Sequence, residues 1–93
     1  MKMKLSNDKF SVYSTLFNEL TPAQLKVFVL YTNAHKIDQI ALELDISANT
    51  VCEYLKRIKE KYQVNSMVEL KLLFNNRIQS YLLKFIAASN LVH

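Results

Sequence analysis

The chain has 93 residues, 51% of them hydrophobic and 22% charged, with 12 Lys or Arg against 8 Asp or Glu. That length supports one domain with a modest core, and the composition is globular rather than disordered. Glycine is absent and proline occurs once, whereas Gly alone averages about 7%. Phosphate-cradling glycine loops and glycine hairpins are thereby excluded, and the expected class is all-α, with long helices joined by Asn, Asp and His corners.

The net charge of +4 is unevenly placed. Up to Ile46 the lysines balance the carboxylates. From Ser47 onward Lys56, Arg57, Lys59, Lys61, Lys71, Arg77 and Lys84 face only Glu53, Glu60 and Glu69. An excess gathered in one half is the footprint expected of a nucleic-acid binder, although a solvated basic surface gives the same count. A single cysteine rules out an internal disulfide and suits a reducing compartment. No apolar run approaches the ~18 residues of a membrane span, and the opening MKMKLSNDKF lacks the apolar stretch of a secretory signal. The expectation is a cytoplasmic protein with no membrane partner. His35, His93 and the one Cys offer no ligand-spaced cluster, so no metal or other cofactor is expected. No Ser–His–Asp or paired-carboxylate spacing is present, so no enzymatic activity is expected either.

In chain order, residues 1–6 read as a frayed basic tail. Ser6 or Asn7 caps a first helix whose Phe10, Tyr13, Phe17 and Leu20 form an aromatic face, flanked by Val12 and Leu16. Thr21-Pro22-Ala23-Gln24 is a capping box with Pro at the first helical position. It opens a helix over 22–33 that buries Leu25, Phe28 and Val29, with Val27, Leu30 and Tyr31 widening the face. Asn33-Ala34-His35 ends it, with Asn33 expected in the left-handed conformation that Gly would otherwise supply. A short helix over 36–44 follows, with Ile37, Ile40, Ala41 and Leu44 on one face and Asp38 in its first turn. Leu44-Asp45-Ile46-Ser47 is a corner, and Ser47 is the N-cap of an outgoing helix over 48–62. The exposed N–H groups there, with Asn49 and Thr50, form a natural seat for a phosphate. In that helix Val51, Leu55, Ile58 and Tyr62 recur at i, i+4, i+7 and i+11, with Tyr54 alongside. Asn49, Glu53, Lys56, Arg57 and Glu60 fall opposite.

Ser66-Met67-Val68-Glu69 is a second capping box, opening a helix to about Ala88. Leu70, Phe74, Ile78, Tyr81, Leu82 and Phe85 share one face, and Leu72, Leu73, Leu83 and Ile86 lie away from it. The surplus of apolar surface makes this helix the expected dimerisation element. Whether Asn75-Asn76 breaks it stays open. Three parts follow: a tail and helix over 1–19, a helix-turn-helix domain over 20–70, and a helical extension over 71–93.

Between Leu20 and Leu70 a spaced set of residues runs in one gapless register. It comprises Leu20-Thr21-Pro22, Val27, Ile40-Ala41, Leu44, Ile46-Ser47, Thr50-Val51, Ile58, Lys61, Val64 and Glu69-Leu70. This set resembles the LuxR/GerE-type DNA-binding domain. The resemblance implies a four-helix domain whose third helix enters the major groove and whose fourth often pairs two copies. It implies that Thr50 and Asn49 meet phosphate, that Cys52, Glu53 and Lys56 face the bases, and that Lys61 reaches the DNA backbone. The charge cluster independently assigns Lys56, Arg57, Lys59 and Lys61 to backbone contacts. The family's pattern has Lys where this chain has Cys52, His at Tyr54, Arg at Met67, and Gly at Ala34, Asp45 and Gln63. Asp at a left-handed corner costs roughly 1 kcal/mol against Gly. A positive φ at Ala34 is harder to accommodate, so that loop is expected to be reshaped.

Two residues keep two readings each. Glu53 either accepts from a cytosine amino group or pairs with Lys56 or Arg57 along the helix. Cys52 is either an oxidation-sensitive thiol at the DNA surface or a small apolar filler. Tyr54 and Tyr62 read as core-edge aromatics. The reading reached is a small stand-alone transcription regulator, too short for a receiver or sensing domain ahead of the motif, that binds double-stranded DNA through helix 48–62 as a homodimer. The alternative is a protein-interaction module on the same fold, its partner another regulator or an RNA polymerase subunit.

Overall fold

The computed structural model describes residues 7–91, and side chains over residues 11–87. Among the described residues there are five helices and no strand: α1 (Asn7–Leu16), α2 (Pro22–Thr32), α3 (Ile37–Leu44), α4 (Ala48–Tyr62) and α5 (Met67–Leu91). The all-α expectation holds. The tail expected over residues 1–6 and the side chain of Phe10 lie outside the described residues.

The helix starts obey local chemistry. Thr21 Oγ1 accepts from the Gln24 N–H at 3.2 Å, and Gln24 Oε1 accepts from the Thr21 N–H at 3.1 Å, closing the capping box. At α5 the Glu69 N–H donates to Ser66 Oγ, while Glu69 Oε2 accepts from the Ser66 and Asn65 N–H groups. The first helix is shorter than its aromatic spacing suggests. It stops at Leu16, and Phe17 and Leu20 sit in the turn that follows. Leaving the helix lets both side chains swing inward, and each is buried.

The core forms around three phenylalanines, one from each of three segments. Phe17 stacks on Phe74 of α5 with ring centroids 5.2 Å apart, and both meet Phe28 of α2 edge-on at 5.0 and 5.4 Å. These offset and edge-to-face geometries suit the quadrupoles of the rings. Leu25, Leu30, Ile40, Val51, Ile58 and Leu70 fill in around them with almost no exposed surface.

Three helices end in the same way, and none of them uses glycine. The N–H of His35 bonds to Leu30 O at 3.1 Å, that of Ile46 to Ala41 O at 3.0 Å, and that of Val64 to Lys59 O at 3.0 Å. Each is the 6→1 bond of a Schellman motif. The left-handed residues are Ala34 (φ 71°), Asp45 (φ 56°) and Gln63 (φ 56°). Asn33 is not left-handed, contrary to expectation: its φ is −95°, and its Nδ2 donates to Val29 O at 2.7 Å instead. Nor is the loop reshaped to spare Ala34, because the 6→1 bond needs its partner one residue beyond a left-handed position.

Helix α5 is continuous through Asn75 and Asn76. The face expected to pair two copies is divided between two environments. Leu70 and Phe74 are buried in the chain's own core and Ile78 is half-buried against it, so they are not available to a partner. Tyr81, Leu82 and Phe85 are exposed, at 41%, 49% and 64%, and every other residue from Gln79 to Ala87 is exposed as well. After Ile78 the helix contributes nothing to the buried core, although Ser80, Tyr81 and Lys84 still border a hollow of about 330 Å³ with Leu16 of α1.

A Cβ in the left-handed region is disfavoured where Gly is not. Ala34→Gly is therefore expected to raise stability by about 1 kcal/mol in urea unfolding, with an unchanged helical signal.

Candidate nucleic-acid interface

Helices α3 and α4 meet at the corner formed by left-handed Asp45, Ile46 and Ser47. Ser47, in extended conformation, caps α4: its Oγ accepts from the Thr50 N–H at 3.1 Å and lies 2.8 Å from Thr50 Oγ1. Two linked hydroxyls thus stand at the positive end of a 15-residue helix. Val51, Leu55 and Ile58 are buried on the inner side, and Tyr54 and Tyr62 are half-buried at its margins. Asn49, Cys52, Glu53, Lys56, Arg57 and Glu60 are exposed, as their spacing requires.

The outward residues divide into two flanks. Asn49, Thr50, Glu53 and Arg57, with Tyr54, line an open hollow of about 530 Å³ whose other wall is Thr21 and Gln24 at the start of α2. Cys52, Lys56 and Lys59 border a smaller hollow of about 170 Å³ with Tyr31, Ile37 and Met67. Hydroxyl, amide, guanidinium and, at Glu53, carboxylate groups occupy the first flank; a thiol and two ammonium groups occupy the second. The outward side of α4 thus presents mostly donors, with Glu53 as an acceptor among them.

Lys61 stands apart from both. Its Nζ donates to Glu19 O at 2.8 Å and to Gln24 Oε1 at 3.3 Å, so the group expected to reach DNA is tied to the α1–α2 turn. Glu19 anchors more than that. Its carboxylate takes both guanidinium arms of Arg77, at 2.9 and 3.0 Å, and the Tyr62 hydroxyl at 3.0 Å. Arg77 also donates to Leu16 O at 2.8 Å and lies over the rings of Phe17 and Tyr62. Bonding to Arg77 holds the Glu19 carboxyl at about 2, well below the usual carboxylate range. Burial, then the bond to Glu19, pushes the Tyr62 hydroxyl upward. This clamp fixes the far end of α4 to α5 and to the turn before α2.

Sequence patterning missed the clamp. Two signals pointed to it: Arg77 falls one turn after Phe74 on the inward side of α5, and Glu19 lies just ahead of the Thr21 cap. Among the described residues no group of three metal-ligand side chains comes together, and no helix is long and apolar enough to cross a membrane.

With the helix-turn-helix and its outward residues placed, comparison with known proteins shows the family. The family model for bacterial regulatory proteins of the luxR family, GerE, matches residues 18–74. The chain belongs to the LuxR family. The matched residues include the α3–α4 corner, all of α4 and two of the three core phenylalanines, Phe28 and Phe74, and they end within α5. The response regulator GacA of Pseudomonas aeruginosa is 37% identical over 57 residues, which cover 61% of this chain and 27% of that protein. No solved structure matches. Ala34, Asp45 and Gln63 hold the left-handed conformation that glycine favours.

The lowered Glu19 pKa makes the clamp acid-sensitive. Its stabilisation is fully present above the ordinary value of 4.5 and is lost as pH falls towards about 2. The stability difference between the parent chain and Glu19→Gln, from urea midpoints, is therefore expected to shrink steadily from pH 5 to pH 2, and to be flat from pH 5 to pH 7.

Proposed function

We propose that this protein is a cytoplasmic transcription regulator that places α4 in the major groove of double-stranded DNA, two copies acting together. The observation that carries this reading is the division of α4: one stripe is buried in the core, and the other side is exposed, capped by hydroxyls at its positive end and basic in its second half, from Lys56 to Lys61. Membership of the LuxR family supports it.

Ser47, Asn49 and Thr50 take a phosphate at the helix start, where N–H groups and the helix dipole favour an anion. Arg57 and Lys59, on opposite flanks, take the two backbones that border the groove. Cys52, Glu53 and Lys56 face the base edges. Lys56 reads guanine, Glu53 accepts from a cytosine amino group, and Cys52 offers a small apolar contact. Lys61, held by Glu19 and Gln24, serves the fold rather than the DNA. Paired copies bind half-sites about one helical turn, ~34 Å, apart.

Binding that neutralises phosphates releases counterions, so affinity must fall steeply with salt. A titration against duplexes selected from a random pool is expected to give a linear log–log salt dependence. Arg57→Ala is expected to flatten its slope by roughly 1 for the lost phosphate contact. Lys56→Ala is expected to weaken the selected site by about 1–3 kcal/mol and leave other sequences less affected, as loss of a guanine reader does. No duplex binding at low salt would overturn the reading and favour a protein-interaction module on this fold.

A further inference from the structure

The outward side of α5, opposite the core, carries a second pattern. Val68, Leu72, Asn75, Gln79, Leu82 and Ile86 recur at alternating spacings of four and three, as the a and d positions of a heptad seam do. Its four apolar members are 68%, 55%, 49% and 52% exposed in chain order, and Asn75 and Gln79 are exposed between them. Such a stripe, running ~27 Å along one helix at 1.5 Å per residue, is uncovered within the chain. A radius of gyration of 14.5 Å, against about 12 Å expected for this length, reflects the helix standing off the body.

The stripe is symmetric about Arg77. Leu72 and Leu82 stand at equal distances on either side of it, as do Val68 and Ile86, and Asn75 and Gln79. A parallel pairing of identical helices matches any seam to itself and requires no such symmetry. An antiparallel pairing sets each residue against its mirror position, so a seam symmetric about one point favours that sense. Here the mirror positions agree in kind: β-branched with β-branched, leucine with leucine, amide with amide.

We infer that two copies of this chain pair through the outer face of α5, antiparallel and centred on Arg77. Leu72 packs on the partner's Leu82 and Val68 on the partner's Ile86, and the central Asn75–Gln79 amide pairs fix the register at some cost in stability. The bodies then lie on the two outer sides of the helix pair. The exposed end of each α5 rests on the partner's first half, which is anchored by Leu70 and Phe74 in the partner's core. A parallel pair would set the two free ends only against each other, and short helices without such support are marginal. Opposed helix dipoles also favour the antiparallel sense. Four of the six seam residues, Asn75, Gln79, Leu82 and Ile86, lie beyond the matched family domain. The inference deepens the reading of the protein as a pair on DNA, but its test uses no DNA.

Cys52 is changed to Ser so that introduced thiols are the sole ones, and Leu72→Cys and Leu82→Cys are made in separate chains. Under mild oxidation, an equimolar mixture is expected to cross-link several-fold faster than either variant alone. Leu72→Cys linking to itself as fast as to Leu82→Cys would overturn the antiparallel register. In sedimentation, the parent chain is expected to be a dimer at tens of micromolar and Leu82→Glu a monomer with unchanged helical content. A monomeric parent, or a variant as dimeric as the parent, would overturn the seam. Cross-linking as expected with no salt-dependent duplex binding would keep the seam and remove the DNA reading.

Discussion

The stacking of Phe17 on Phe74, with Phe28 set edge-on to both, is the contact on which the arrangement depends. It joins the turn after α1, the middle of α2 and the inner side of α5, which are remote in sequence. Rings of this kind each bury 150–250 Å². In a chain of this length, three of them in one cluster are a large part of the apolar area available. The Glu19–Arg77–Tyr62 clamp lies at the edge of the cluster, with Arg77 over the Phe17 ring. It carries the constraint outward to the end of α4.

That constraint decides what α4 can offer. Val51, Leu55 and Ile58 are committed to the core at one end of the pattern and Tyr62 to the clamp at the other, so the rotation of the helix about its axis is fixed. The basic excess of the second half is also narrower than its count suggests. Arg77 is held by Glu19, Lys61 by a carbonyl and Gln24, and Lys71 lies over the Tyr31 ring. Lys56, Arg57 and Lys59 remain on the outward side, all within about one turn of the helix. The thiol of Cys52 and the carboxylate of Glu53 lie close by, which makes this face chemically mixed rather than uniformly cationic.

Much of the fold was legible because helix starts are local. Thr21, Ser47 and Ser66 each bond to a backbone N–H three residues on, an interaction a spacing rule sees directly. The period of Val51, Leu55 and Ile58 likewise fixed the inner side of α4. Helix ends were harder. Asn33 is the better left-handed residue by type, yet Ala34 occupies the position, because the 6→1 bond from His35 fixes the register whatever residue falls there. Long-range pairs were hardest. Nothing local to Arg77 names Glu19 as its partner, and nothing local to Leu70 and Phe74 separates a core face from a pairing face. Periodicity finds the stripes on a helix; packing determines which stripe faces inward.

The central claim is that the outward side of α4 meets the DNA groove. The most direct measurement is an NMR titration of backbone amides with a selected duplex. The account predicts that the largest shifts fall on Ser47 to Lys59 and on Thr21 across the hollow, with the stripe from Val68 to Ile86 little changed. Shifts concentrated on α5, with α4 silent, would contradict it.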